Sequence, residues 1–315
     1  MIPVIAARLL GAIPTLLLVS LITFTILHLI PGDPASVMAG LSATPQEVQQ
    51  IRTDLGLDQP LPAQLLHWYG GLLHSDLGRS LLLGQDMLGA VLQRLPVTLS
   101  LSLYGLALTL LVGVASGILA AVRHNTIVDQ AAMMVAMLGI SMPSFFFAPL
   151  IVLLFAVHLG WLPSGGYVPF GADPLGWLRA ATLPSISLAL LQVGLLARIT
   201  RSTMLEVLSQ DYVRTARAKG LPARSVIGKH ALANALIPIT TVVGIAISLL
   251  VSGSVVIETI FSVPGIGQLL TQAVLNRDYP LVQGGLLLLT TLLVLINIGV
   301  DVLYAALDPR VRLGG

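Results

Sequence analysis

One basic stretch interrupts an otherwise apolar chain, and its side chains suit docking rather than catalysis. It runs from Asp211 to Pro238, lies between two long uncharged segments and contains both lysines of the protein, Lys219 and Lys229. A structured basic loop between two membrane spans is expected to face the cytoplasm and to contact something there. The residue pattern leaves two partners open, another protein or the acidic headgroups of membrane lipid.

The local pattern of this stretch predicts two short helices joined by a turn. Asp211 is a suitable N-cap, and the residues that follow it are mostly good helix formers. Gly220 stands where a helix ends in a left-handed residue, and Pro222 cannot continue that helix but can begin the next. The small residues Ala216, Ala218 and Gly220 would let a partner's surface approach the backbone closely.

Few ionisable groups fall within the apolar segments, and none falls in the middle of one. His28 is expected at the outer end of the first span, as an interfacial histidine. Glu258 is expected at the outer end of the fifth span, where it could line a pathway, recognise a substrate amine or hydrogen-bond an external loop. Asp301 is expected near the inner end of the sixth, in a structural role. Because a proton-coupled carrier normally needs a deep carboxylate or histidine relay, this distribution argues against that mechanism.

The sequence contains no pattern for ATP hydrolysis or other enzymatic chemistry. The Gly-Lys pair at 228–229 is followed by His230 and lacks the upstream glycine of a phosphate-cradling loop. No serine–histidine–acid or paired-carboxylate arrangement can be argued, and the absence of cysteine excludes disulfides and thiolate metal sites. We therefore expect that this chain is not an enzyme and that it holds no resident cofactor and no metal. Three methionines of the third span are expected to pack rather than to bind metal: Met133, Met134 and Met137.

The composition is that of an integral membrane protein. Hydrophobic residues make up 56% of the 315 residues and charged residues 10%, with a mean hydropathy of +0.93. Soluble domains carry about 25% charged residues. The net charge of +2 is modest, and no interleaving of aromatic and basic residues indicates nucleic-acid binding.

Apolar runs predict an all-α protein with six membrane spans. The first begins at Leu9 and ends at the Pro-Gly-Asp-Pro sequence of 31–34; its apolar region is too long for a cleaved signal peptide. The third is expected to bend at Pro143, and Pro149 offers a second point where it could bend. The predicted spans are 9–30, 96–122, 130–157, 180–197, 234–257 and 281–300.

Residues 31–95 are predicted to form an external subdomain of short helices. Thr44 and Glu47 have the spacing of a capping box, which predicts a helix from Pro45 to about Gly56. Pro96 is expected to open the second span. The predicted organisation is therefore a first span in 1–30, the external subdomain in 31–95 and a five-span core in 96–315.

The distribution of basic residues predicts which side each loop faces. Eleven of the 16 Lys and Arg residues fall on the predicted cytoplasmic side, including seven in 198–229 and the two near the end, Arg310 and Arg312. Five fall outside, three of them in the long first loop, where the rule is weak. We expect a multi-pass membrane protein with both termini in the cytoplasm.

The basic stretch resembles the "EAA" coupling loop of ABC importer permeases, in the form used by the dipeptide, oligopeptide and nickel permease family. The general pattern has a Glu-Ala-Ala triplet six residues before a glycine, with Ile-x-Leu-Pro further on. Here Arg214, Thr215 and Ala216 occupy the triplet and Gly220 the glycine. The later element is the Leu-Ile-Pro of 236–238, farther away than in sugar permeases. Both departures are familiar in the peptide branch.

The resemblance extends over nearly the whole chain and fits the B-type permease, which carries a long first external loop. Further segments similar to the family occur in the family's order: GDPA near residue 32, LGLDQPL (55–61), SMP (141–143), ETIFSVPGIGQLL (258–270), NRDYPLVQG (276–284) and DVLYAALDPRVR (301–312).

The resemblance implies a type I ABC importer permease fold in the bacterial cytoplasmic (inner) membrane, with ATPase coupling by the segment 205–233. The chain would work with a second homologous permease, two cytoplasmic ATPase subunits that hold ATP and Mg²⁺, an external substrate-binding protein and membrane lipid. The implied coupling residues are Asp211, Arg214, Thr215, Ala216, Arg217, Lys219, Gly220 and Arg224. The candidate residues of a pathway or external gate are Glu258, Pro264 and Gly265.

The sequence favours peptide as the substrate and leaves glutathione and a nickel chelate open. A function of another class, a secondary transporter or channel without ATPase partners, also stays open, and an associated ATPase would discriminate. A receptor or scaffold without a translocation path is disfavoured, because the polar external subdomain is joined to a coupling loop.

Overall fold

The computed structural model describes residues 2–29, 33–40, 43–54, 56–74, 76–80 and 83–307. The predicted stop at 31–32 and the terminal residues Asp308, Arg310 and Arg312 lie outside these ranges. The chain divides into two compact units: the first comprises 98–263 with 296 onward, and the second comprises 2–97 with 264–295.

Helices make up most of the described backbone and no strand occurs in it, which confirms the all-α prediction. Three short π-helical segments, 109–114, 152–158 and 226–232, follow or join α-helices directly. The described α-helices are α1 (Ile2–Leu29), α2 (Pro34–Ala39), α3 (Pro45–Asp54), α4 (Leu61–Leu73), α5 (Met87–Leu108), α6 (Ala115–Val122), α7 (Ile127–Ser141), α8 (Ser144–Ile151), α9 (Pro174–Leu208), α10 (Asp211–Ala218), α11 (Ala223–Ser225), α12 (Ala233–Ile260), α13 (Ile266–Leu275) and α14 (Tyr279–Leu307).

Five helical stretches in the described residues are long and apolar enough to cross a membrane, and a bent helix pair makes up to six. The bent pair is the predicted third span. Its two parts, Ile127–Ser141 and Ser144–His158, meet at an angle of 110°. The break falls at Met142 and Pro143, as predicted, whereas Pro149 lies inside α8. The other stretches are Arg8–Ile26, Met87–Val122, Pro174–Leu208, Pro238–Ile260 and Tyr279–Val302.

Two predicted span starts were wrong, because strong capping signals precede the most apolar residues. The second span begins at Met87 rather than at Pro96, and the Asp86 carboxylate accepts a hydrogen bond from the Gly89 amide at 2.8 Å. The fourth begins at Pro174 rather than at residue 180, with the Asp173 carboxylate capping its first turn. Proline is tolerated inside long membrane helices, so Pro96 did not mark a boundary.

In the second unit, α3 begins with the capping box that the sequence predicted. Thr44 and Glu47 form the capping box: the Glu47 carboxylate accepts from the Thr44 amide at 2.7 Å, and the Thr44 hydroxyl accepts from the Glu47 amide. Hydrogen bonds from Thr44 lower the pKa of Glu47. Helix α3 ends at Asp54, two residues before the predicted end at Gly56.

The second unit is also joined by a long-range buried hydrogen bond. The Ser80 hydroxyl donates to the Asp278 carboxylate at 2.6 Å, and both residues are fully or almost fully buried. The other Asp278 oxygen accepts from the Leu281 amide and caps α14. The stretch around Ser80 therefore meets the segment 276–284 in space.

In the first unit, α9 is the central helix. It packs against α6, α7, α8 and α12, and 67% of its candidate membrane segment is buried, against 33% for those in α5–α6 and α12. Glycines bring backbones together around it. A Cβ on Gly117 would lie 2.6 Å from the Ala197 carbonyl oxygen, and one on Gly194 would overlap the Ala136 carbonyl. Small residues are the expected means of close helix packing in membranes, where apolar contact alone gives little preference for protein over lipid.

We predict that Gly117→Ala destabilises the protein by about 1–3 kcal/mol, because the new methyl group meets the backbone of α9 and forces a shift. Thermal denaturation of the purified protein in detergent should show a fall of several °C. Gly11→Ala is the matched control, since nothing lies within 4 Å of its added Cβ. Equal melting temperatures for the two variants would contradict the packing role of Gly117.

Candidate functional site

The predicted basic segment forms a compact helical connection between α9 and α12. Helix α9 ends at Leu208, and α10 begins at Asp211 after a two-residue cap. A turn at 219–222 leads to α11 and the π-helical segment 226–232, which continues directly into α12. The two short helices expected from the sequence are both present.

A small apolar cluster fixes α10 to its surroundings. Val213 is fully buried and Ala216 almost so, and both pack with Val226. Two residues near the end of α9, Val207 and Leu208, pack against this cluster. Ala216 was expected to offer a close approach to a partner. It instead lies on the buried face of α10, because it falls three residues after Val213.

The end of α10 has the geometry that the sequence predicted for Gly220. The Leu221 amide donates to the Ala216 carbonyl, and the Gly220 amide donates to the Arg217 carbonyl, which together form a Schellman motif. Gly220 has φ of +77°, a conformation that strains residues with a Cβ. The N-terminal prediction was off by one position: Gln210 occupies the N-cap, and Asp211 is the first helical residue.

The remaining predicted coupling residues lie on the exposed surface of the segment. An ion pair within this set joins Arg214 to Asp211 at 3.6 Å, and both side chains are largely exposed. Exposed pairs of this kind contribute about 0–1 kcal/mol, so the arginine stays available to other groups. The exposed members of the predicted set are Asp211, Arg214, Thr215, Arg217, Lys219, Gly220 and Arg224.

A buried ion pair at the start of α7 was not predicted from the sequence. The Asp129 carboxylate, 4% exposed, accepts from two nitrogens of Arg201 on α9, at 2.5 and 2.7 Å. The Asn125 amide donates to the same carboxylate at 3.0 Å, and His124 lies 3.3 Å from it. The pair links the first turn of α7 to α9, ten residues before α10 begins.

The candidate gate residues fall in different units of the chain. In the first unit, Glu258 is fully buried in the last turn of α12, and its carboxylate accepts from the Thr98 hydroxyl of α5 at 2.7 Å. In the second unit, Pro264 is exposed, and the buried Gly265 is the N-cap of α13. The structure therefore supplies Glu258 with a partner in α5, whereas the sequence had suggested a loop, a substrate amine or a pathway.

Comparison with known proteins then gives the family. The family model described as "binding-protein-dependent transport system inner membrane component" matches residues 113–313, and the model of its N-terminal region matches residues 1–102. The chain belongs to this family. It is thus an inner membrane permease subunit of a binding-protein-dependent transport system.

Curated relatives match this permease over almost its entire length. A protein of Brucella abortus (strain 2308) named as a peptide transport system permease is 53% identical over 308 residues, which cover 98% of each chain. A protein of Sinorhizobium fredii named as a peptide ABC transporter permease is 43% identical with the same coverage. The glutathione transport system permease protein of Escherichia coli (strain K12) is 42% identical over 97% of each chain.

A solved structure confirms the fold. An inward-facing form of the MetNI methionine ABC transporter matches with a TM-score of 0.59 and 18% identity, covering 70% of this permease and 98% of that chain. At this identity the likeness supports the type I ABC importer permease fold alone.

We predict that Asp129→Asn destabilises the permease by about 3 kcal/mol, because it leaves the Arg201 charge largely buried without its carboxylate. The melting temperature of the purified protein in detergent measures the loss. Asp58→Asn, at an exposed position, should leave it unchanged. The double variant Asp129→Leu/Arg201→Met should regain much of the loss. A single Asp129→Asn variant as stable as wild type would refute the structural role of the pair.

Proposed function

We propose that this permease carries short peptides into the bacterial cytoplasm, driven by separate ATPase subunits that dock on the segment 205–233. The observation that carries the proposal is the form of that segment. It presents exposed basic side chains on a short helix whose other face is fixed by Val213, Ala216 and Val226 to the central helix α9. The relatives named for peptide transport, at up to 53% identity over 98% of the chain, support the substrate class.

The mechanism follows from how the segment is attached. Helix α10 is anchored to the end of α9, and the segment runs without a break from α11 into α12. A displacement of α10 by a closing ATPase pair would therefore act on both helices. Because α9 packs on α6, α7, α8 and α12, its movement would reorient the unit rather than one loop. Rigid elements with two packing arrangements are the means by which such movements are transmitted.

In the proposed transporter, this chain works with several partner proteins. ATP and Mg²⁺ are held by two ATPase subunits, a second homologous permease completes the translocation path, and an external binding protein delivers the substrate. In this arrangement Glu258, Pro264 and Gly265 contribute to the external gate. The buried Glu258–Thr98 hydrogen bond supports that role, since its rupture would expose a carboxylate that is fully buried here.

Glutathione is the second candidate substrate. The 42% identity to a glutathione transport permease favours it, and glutathione is itself a peptide with charged termini. A nickel chelate remains an alternative from the sequence resemblance alone, and no group of three or more metal-ligating side chains occurs among the described residues.

We predict that the double variant Arg214→Ser/Gly220→Val loses the ATPase subunits. Removal of the exposed charge and strain at a residue with φ of +77° would both disturb the docking surface. The measurement is affinity capture through this chain after co-expression with candidate ATPases, together with peptide uptake in reconstituted vesicles. Arg179→Ser, an exposed arginine outside the segment, is the charge control. Gly220→Asn is the backbone control, because asparagine tolerates the left-handed region.

The coupling proposal fails if the double variant inserts correctly, captures as much ATPase as wild type and supports normal uptake. ATPase capture with the wild type and both controls, but not with the double variant, supports it. Capture of no ATPase by any correctly inserted form would instead favour a secondary transporter.

The proposed topology makes a separate prediction, and the absence of cysteine gives a clean background for it. Lys219→Cys should be labelled by a membrane-impermeant maleimide only after spheroplasts are permeabilised, because the segment is proposed to face the cytoplasm. Asp58→Cys should be labelled in intact spheroplasts. Both residues are exposed, so accessibility within the protein is comparable. The reverse pattern would invert the proposed orientation.

A further inference from the structure

The second unit contains a cavity of about 600 Å³ that the function proposed above does not use. It lies among α1, α3, α4 and the start of α14, and its volume is in the range of small-molecule sites, about 300–1,000 Å³. Its lining combines the aromatic rings of Phe24, Trp68 and Tyr279 with charged groups of both signs, Asp54 and Arg277.

Hydrogen bonds between the surrounding elements fix the shape of the cavity. The His28 ring contacts the Gln64 side chain at 3.0 Å and joins α1 to α4. The Ser20 hydroxyl lies 2.8 Å from the Tyr69 hydroxyl and joins the same two helices. The buried hydrogen bond from Ser80 to Asp278 fixes the start of α14. A cavity whose walls are joined in this way is preorganised, which lowers the entropy cost of binding.

Two donor groups in the lining have unused hydrogen-bonding capacity. The Trp68 indole nitrogen is buried and has no hydrogen-bond partner among the described residues. The Arg277 guanidinium forms no ion pair with a described carboxylate. Buried donors without partners are rare and costly, so a ligand oxygen would satisfy the indole N–H.

Arg277, in the same cavity lining, has an unusual backbone conformation. Arg277 is one of three described non-glycine residues with positive φ, at +55°. It is held there by its own amide donating to the Val274 carbonyl and by the next amide, that of Asp278, donating to the Ala273 carbonyl. Together these two bonds form a Schellman motif, so the positive φ of Arg277 is set by the end of α13. This conformation places a long cationic side chain in the cavity lining.

From these observations we propose that the cavity is a binding site for a short peptide within the permease subunit itself. The Arg277 guanidinium would bind the peptide carboxylate, and Asp54, at the end of α3, would bind the amino terminus. The Trp68 N–H would donate to a peptide carbonyl, while the aromatic rings contact an apolar side chain. A lipid acyl chain would require a long apolar cleft, whereas polar groups stand on several sides here. This assignment rests on the proposed function for its choice of ligand.

The test is equilibrium binding of labelled alanyl-phenylalanine to the complete permease–ATPase complex in lipid nanodiscs, without the binding protein. Arg277→Gln should weaken binding at least tenfold, and Arg277→Lys should retain most of it. Trp68→Phe keeps an aromatic ring, although a smaller one, but removes the N–H, and should weaken binding several-fold. Arg179→Gln, outside the cavity lining, should have no effect. The same peptide with blocked termini should bind at least tenfold more weakly to wild type.

Saturable wild-type binding with this pattern of losses supports the inference. Absence of saturable binding, equal binding by Arg277→Gln and wild type, or a phospholipid in the cavity that the peptide does not displace would overturn it. Uptake with the binding protein present is measured in parallel and separates the two proposals. Normal peptide uptake without cavity binding refutes this inference alone, whereas cavity binding without peptide uptake counts against the proposed function alone.

Discussion

The close backbone packing around α9 is the constraint on which the first unit depends. Gly117 and Gly194 bring neighbouring helices to distances that no Cβ could occupy without a shift. In a bilayer, lipid solvates apolar side chains as well as another helix does, so contact over a larger area is what favours association. That contact also holds α9 closely against its neighbours. A rigid central helix is a prerequisite if a force applied at its end is to reach the rest of the unit.

The ion pair between Asp129 and Arg201 follows from the same packing. Removing two charges from water is costly, and their attraction compensates only when geometry is good and remaining lone pairs are satisfied. Here the arginine donates from two nitrogens, and the Asn125 amide adds a third donor to the carboxylate. The pair therefore fixes the approach of α7 to α9 near the end that carries α10.

Local signals in the sequence predicted much of this architecture, and non-local contacts account for what it missed. Gly220, the Thr44–Glu47 capping box and the break at Pro143 were predictable because each depends on a few adjacent residues. The pairs Asp129–Arg201 and Ser80–Asp278 join residues 72 and 198 positions apart, and no local pattern reports such distances. Hydropathy also placed two helix starts too late, since it does not register the caps at Asp86 and Asp173. The residues that line the cavity come from segments far apart in the sequence, so the sequence alone did not predict the cavity.

Acidic and basic side chains have divided roles in the described part of the chain. The three acidic residues that are buried there, Asp129, Glu258 and Asp278, each accept a hydrogen bond from a different element or segment: Arg201, Thr98 and Ser80 respectively. A buried carboxylate without such partners would be strongly destabilising, so burial and pairing must occur together. The basic side chains of α10 and α11, in contrast to these buried acids, are exposed and carry positive charge. Substitutions in the two groups should therefore have different effects: those of Asp129 and Asp278 act through folding, and those of the exposed basic residues act through partners.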